Sequence, residues 1–225
     1  IGVNEYNLLL YVDRTPRADN NNATHSVLSE MVHSNALLID RLAEYKRESE
    51  HLYKSIEIVA SETNLGPYVA CFNAIELAFA SNEFVVFSED DIIFCKDSLT
   101  YYNSYRDRKI DYDDNCIGIT TSSLWFFPNR NIYAEKSGEV KVSPEHQDKV
   151  NEMKSMVIDN DLANAIERVK WAPNKQMGLF AAGWNKIKKF RGEVIQGSNG
   201  GAPDFATGEY VKDSPYYFVY SFVPR

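Results

Sequence analysis

The sequence predicts an α/β fold: a mostly parallel sheet flanked by helices, followed by a less regular C-terminal region. Three observations predict it. Apolar runs of strand length alternate with stretches of helical period as far as residue 120, the pattern of a parallel sheet with crossover helices. Acidic or turn-forming residues stand just after successive strand runs, where open sheets of this kind bind ligands. A chain of 225 residues is large enough to bury a core without disulfide or metal staples.

Tyr6 to Val12 is the first strand, and Asp13-Arg14-Thr15-Pro16 ends it, because proline cannot continue the ladder. Arg17 to Thr24 is a polar, Asn-rich loop. A helix is expected from Ser26 to His51, with Leu28, Met31 or Val32, Leu38, Leu42 and Tyr45 forming its apolar stripe. Ser55 to Ala60 is a second strand. Asn64-Leu65-Gly66 then turns into a helix over Pro67 to Ala80, with Pro67 at its first position and apolar residues nearly all round.

Phe84 to Phe87 reads as a strand buried on both faces, and Glu89, Asp90 and Asp91 follow it directly. Asp97 or Ser98 caps a helix reaching Arg108, whose Tyr101, Tyr102 and Tyr105 read as packing residues. Cys116 to Thr120 is a further strand. Trp125 to Pro128 is an aromatic loop that plugs a core or stacks on a sugar. Ser143-Pro144-Glu145 opens a helix to Ile158, and a second helix runs through Val169. His146 reads as surface decoration. Gln176 to Trp184 is apolar and Gly-rich. Lys186, Lys188, Lys189 and Arg191 form a basic cluster, Gln196 to Ala202 a glycine-rich loop, and Tyr216 to Val223 a closing strand.

Hydrophobic residues make up 44% and charged residues 25%, an ordinary globular balance. The net charge of −8 argues against a nucleic-acid partner held through phosphate contacts. Cys71, Cys95 and Cys116 have neither disulfide-framework nor zinc-site spacing, which suits a reducing, cytoplasmic compartment. Cys71 and Cys95 read as core fillers. No apolar run reaches the length of a membrane span. The chain opens on Ile rather than Met, as an excised or processed segment does. It reads as one domain, with residues 1–115 as a ligand-binding half and 116–225 as an acceptor-side half.

Three adjacent carboxylates after a strand repel one another and are costly to desolvate. A divalent cation relieves both penalties, and hard oxygen ligands suit Mg²⁺ or Mn²⁺. The competing reading is a solvated acidic turn. If the backbone stays extended, Glu89 and Asp91 point one way and Asp90 the other. With Asp13 and Asn64-Leu65-Gly66 at neighbouring strand ends, one rim would hold a nucleotide diphosphate. The metal on Asp91 would neutralise a departing diphosphate, and an opposing carboxylate would deprotonate an acceptor hydroxyl.

Asn64 to Ile75 and Phe84 to Ile92 resemble two motifs of the GT-A-fold nucleotide-sugar glycosyltransferases. The first is similar to that family's Asn-x-Gly turn and following helix. The second is similar to the Glu-Asp-Asp form of its Asp-x-Asp metal motif. Gly178 to Trp184 with Pro203-Asp204-Phe205 resembles more loosely its acceptor-side segment and later catalytic Asp. The resemblance implies a glycosyltransferase of hexosyl or N-acetylhexosaminyl type, inverting, with a nucleotide-sugar donor (a UDP-sugar favoured) and a glycan or other hydroxyl acceptor. It implies Mn²⁺ or Mg²⁺ on Asp91 with Glu89, and donor contacts from Asp13, Arg14, Asn64, Gly66, Glu89 and Asp90. It implies Asp204 as catalytic base, with Glu209 as rival.

The sequence departs from the family at three places. It lacks an additional first strand and helix, Phe72 stands where a basic residue is usual, and a late metal-site His would fall beyond Arg225. These departures favour a second reading, a non-catalytic GT-A-like sugar-binding or scaffold module of a larger protein. A metal-dependent phosphate-ester hydrolase is a third, and it would need more acids or histidines on the same rim.

Overall fold

A computed structural model describes residues 5–14, 25–90, 92, 94–107, 113–120, 148, 166–169, 176–188 and 211–221. The class is α/β, and the chain divides into two units, Ile1–Asn82 and Glu83–Arg225.

The first unit is a strand–helix–strand–helix series. Strand β1 (Asn7–Val12) pairs in parallel with β2 (Ser55–Ala60), in register from Asn7 against Ser55 to Val12 against Ala60. Helix α1 (His25–Ser49) joins them and closes in a 3₁₀ turn at Glu50–Leu52. The parallel pairing requires this long crossover, since a hairpin reverses direction. Helix α2 (Gly66–Phe79) follows β2.

On α1 the expected apolar stripe is corrected. Leu38 and Tyr45 are exposed, at 43% and 38%. Leu42 of that stripe is half-buried as expected, in line with the half-buried Asn35 and the buried Ser49. Leu38 and Tyr45 share the seven-residue spacing of Asn35, Leu42 and Ser49, so periodicity alone does not choose between those two lines. Helix α2 buries Tyr68, Ala70, Phe72 and Ile75, while Leu77 is exposed, so it has an outer side despite its apolar composition.

The second unit holds a mixed five-stranded sheet in the order β3-β6-β4-β7-β5. Its strands are β3 (Phe84–Ser88), β4 (Cys116–Thr120), β5 (Ile166–Val169), β6 (Gln176–Phe180) and β7 (Tyr217–Ser221). β4 and β7 are parallel, whereas β3–β6, β4–β6 and β5–β7 are antiparallel. The mostly parallel arrangement expected as far as residue 120 thus describes the first unit, and the second is mixed because β6 inserts antiparallel between β3 and β4. β3 lies at one end of this sheet and is half-buried along its length rather than buried on both faces.

Ile166–Val169 was expected within a helix and is a strand. Its backbone pairs with β7 from Ile166 against Ser221 to Val169 against Phe218, and these ladder bonds outweigh a local pattern as short as four residues.

Helix α3 (Ser98–Asp107) lays Tyr101, Tyr102 and Tyr105 against Cys116 and Ile119 of β4 and Tyr217 and Val219 of β7, with Phe84 and Val86 packed beside them. The packing role expected of the three tyrosines holds. Helix α4 (Ala181–Lys188) approaches β4 through Gly183, where a β-carbon would stand 2.8 Å from the Ile117 Cα. No side chain other than hydrogen fits between this helix and that strand. Of the basic cluster, Lys186 holds its ammonium 5.3 Å from the Tyr216 ring centre, a cation–π distance, and Lys188 is exposed. Cys116 is buried and Cys71 half-buried, but Cys95 is exposed and fills no core. No described helix is long and apolar enough to cross a membrane.

Candidate functional site

The carboxyl ends of β1 and β2 form one hydrogen-bonded cluster. Its centre is Asp13, the first residue beyond β1. Its Oδ1 accepts from the Arg14 amide at 2.9 Å, the Ser61 hydroxyl at 2.9 Å and the Leu65 amide at 3.0 Å. Its Oδ2 accepts from the Gly66 amide at 2.9 Å.

Two of these donors are at the start of α2. The helix has Leu65 at its N-cap position, and leucine offers no capping oxygen. The Asp13 carboxylate supplies from a distant part of the chain what the local sequence withholds. A negative charge there also complements the positive end of the helix dipole. Gly66 reaches its place with φ at +75°, the left-handed region that favours glycine. A β-carbon on it would meet nothing within 4 Å among the described residues, so among these it is the backbone conformation that selects glycine.

Arg14 is the second centre. Its amide donates to Ser61 Oγ at 2.9 Å as well as to Asp13. Its carbonyl accepts from Asn64 Nδ2, and its own Nη1 donates to the Glu62 carbonyl. Ser61 further ties the strands through its amide, which donates to the Val12 carbonyl at 3.0 Å. The loop 61–64 therefore wraps Arg14, and both Arg14 and Asn64 are exposed. A guanidinium carries five N–H donors in a fixed fork. The Glu62 carbonyl engages one nitrogen, and among the described residues the other guanidinium donors are left for an anion or a carbonyl-rich ring.

Asp13, Arg14, Asn64 and Gly66, all expected at a ligand site, are thus assembled in one cluster. Sequence reasoning missed Ser61 and Glu62. A readable signal existed: Ser61 directly follows β2 as Asp13 directly follows β1, and Leu65 at a cap position calls for a cap from elsewhere.

The acidic turn belongs to the second unit. Glu89 is half-buried, and its carbonyl accepts the Ser88 hydroxyl at 3.1 Å. Asp90 is exposed in a turn. Asp91, Asp204 and Glu209 lie outside the described residues, as do Trp125 to Pro128, His146, Lys189 and Arg191. Among the described residues, no group of three His, Cys, Asp or Glu side chains could hold a metal ion.

Comparison with protein-family models, with curated proteins and with solved structures finds no match to the chain.

Proposed function

We propose that this chain is a metal-dependent glycosyltransferase that moves a sugar from a nucleotide-diphosphate sugar to a hydroxyl acceptor. The observation that carries the reading is the Arg14 cluster. An anchored guanidinium and an exposed Asn64 stand where two parallel strands end, beside a glycine with no described atom within 4 Å of its β-position. That position is the usual ligand crevice of open α/β sheets. The amides of Leu65 and Gly66 already serve Asp13, and Pro67 has none to give. The cluster therefore suits the base or ribose of the donor, read by Arg14 and Asn64, better than its diphosphate.

Glu89 and Asp91 would hold Mn²⁺ or Mg²⁺, which supplies charge neutralisation to the departing diphosphate. Asp204, with Glu209 as rival, would take the acceptor's proton as its hydroxyl attacks the sugar. Titration calorimetry with UDP, GDP and CDP, with and without Mn²⁺, tests the reading. Mn²⁺-dependent binding of one nucleotide is the expected result, and no binding of any of them would sink it.

One observation favours the second reading, a non-catalytic GT-A-like module. Phe72, where a basic residue is usual in the family, is 4% exposed and part of the core. No cation from that turn of α2 is offered to a ligand. A module of this kind would bind a sugar or a protein partner without nucleotide or metal.

A further inference from the structure

We infer that Ser61 is a positioning residue that holds Arg14 in its ligand-facing place. The inference rests on the reading of Arg14 as a donor contact. Ser61 is half-buried and follows β2 directly. Its hydroxyl uses both of its capacities on the facing strand end. It donates to Asp13 Oδ1 at 2.9 Å and accepts from the Arg14 amide at 2.9 Å. Its own amide donates to the Val12 carbonyl at 3.0 Å. Ser61 is thereby linked to Val12, Asp13 and Arg14, three consecutive residues of the other strand end.

The consequence for Arg14 is mechanical. Exposed arginines ordinarily keep much rotamer freedom, and ordering one on binding costs affinity. Here the residue is fixed in three places: at its amide by Ser61 and Asp13, at its carbonyl by Asn64, and at its guanidinium by the carbonyl of Glu62. Glu62 and Asn64 belong to the same short loop whose first residue is Ser61. Removing the Ser61 hydroxyl leaves the Arg14 amide with one acceptor in place of two. It also loosens the loop that carries the other two restraints. Ser61 touches no ligand in this scheme and acts only through Arg14.

The test uses the whole chain, with Ser61→Ala, Ser61→Thr, Arg14→Ala and the double variant Ser61→Ala/Arg14→Ala. Two quantities are read: UDP affinity by calorimetry, and the ps–ns order of the Arg14 Nε–H group by ¹⁵N relaxation in the protein without nucleotide. Ser61→Ala is expected to lower that order and weaken UDP binding about fivefold, the scale of one hydrogen bond. Ser61→Thr, which keeps the hydroxyl, restores both, and in the Arg14→Ala background the Ser61 effect on UDP disappears. A merely structural serine would lower the unfolding midpoint with Arg14 order unchanged, and that result overturns the inference. If the wild-type chain binds no UDP, the nucleotide reading fails. The relaxation measurement then decides the positioning role alone: lowered order supports it, and unchanged order overturns it.

Discussion

Asp13 Oδ2 accepts the amide hydrogen of Gly66 at 2.9 Å, across a sequence separation of 53. The bond joins the end of β1 to the first residue of α2, and with the Leu65 amide on Oδ1 it makes a cap that neither segment could form alone. A carboxylate already occupies the helix start, so an incoming phosphate would meet a like charge there.

Replacing Asp13 tests the cap. Asp13→Ala leaves the Leu65 and Gly66 amides and the Ser61 hydroxyl without their acceptor, and an unfolding free-energy loss of about 2 kcal/mol is expected, the scale of hydrogen bonds to a charged group plus a lost cap. Asp13→Asn keeps one acceptor oxygen and should lose about half as much. Urea midpoints at constant m-value measure both. Equal losses for the two variants would mean that the charge, rather than the bonding geometry, supports the turn.

Gly66→Ala isolates the backbone contribution. Among the described residues nothing lies within 4 Å of the added carbon, so none of them clashes with it. The cost is that of holding an L-residue at positive φ, about 1 kcal/mol. Gly66→Asn should cost less, because Asn tolerates this region better. If alanine proved neutral, the turn would have to relax to negative φ, and hydrogen exchange at the Gly66 amide would then speed up as its bond to Asp13 is lost.

The legible parts of the fold were those whose signal is local. β2 and β4 match their expected spans because β-branched and apolar residues alternate between clear breakers. The Asp13 and Asn64-Leu65-Gly66 end of the site was legible because strand ends and turn glycines mark themselves. β6, with Gly178 at its centre, was not, since Phe180 runs straight into the helix at Ala181 with no breaker between them. That glycine answers a tertiary demand: a β-carbon there would stand 2.7 Å from both Phe84 Cζ and Tyr102 Cδ1. β5 was illegible for the complementary reason, as its partner β7 begins some fifty positions later in the chain. The exposure of Leu38 depends on which side of α1 meets its neighbours, and no helical period encodes that.

Tyr53 offers a pH test. Its hydroxyl pairs with that of Tyr45 at 3.1 Å, and this bond, followed by burial and the charge effect of Tyr45, pushes the Tyr53 pKa up to about 12. The unfolded chain would release the proton near 10. Stability from the pair is therefore fully present below pH 10 and is lost as pH rises from 10 to about 12. An NMR titration that follows the Tyr53 ring itself should show the late transition, and Tyr45→Phe should bring it back toward the ordinary range. An unshifted transition in that variant would assign the effect to burial instead.

Binding and transfer should come apart if the proposed division of labour holds. Asp91→Ala removes a hard oxygen ligand, so nucleotide binding should lose its Mn²⁺ dependence, with affinity in Mn²⁺ falling by about tenfold or more, in keeping with a lost metal bridge to the diphosphate. Asp204→Asn keeps shape and removes the base, so transfer should fall by a factor of about 10² to 10⁴ while nucleotide affinity stays unchanged. Arg14→Ala should weaken binding in the presence and absence of metal alike, because its contact is to the base and ribose end. Parallel calorimetry and donor-consumption assays on the three variants read these outcomes. Equal loss of affinity and transfer in Asp204→Asn would make that residue structural and pass the base role to Glu209.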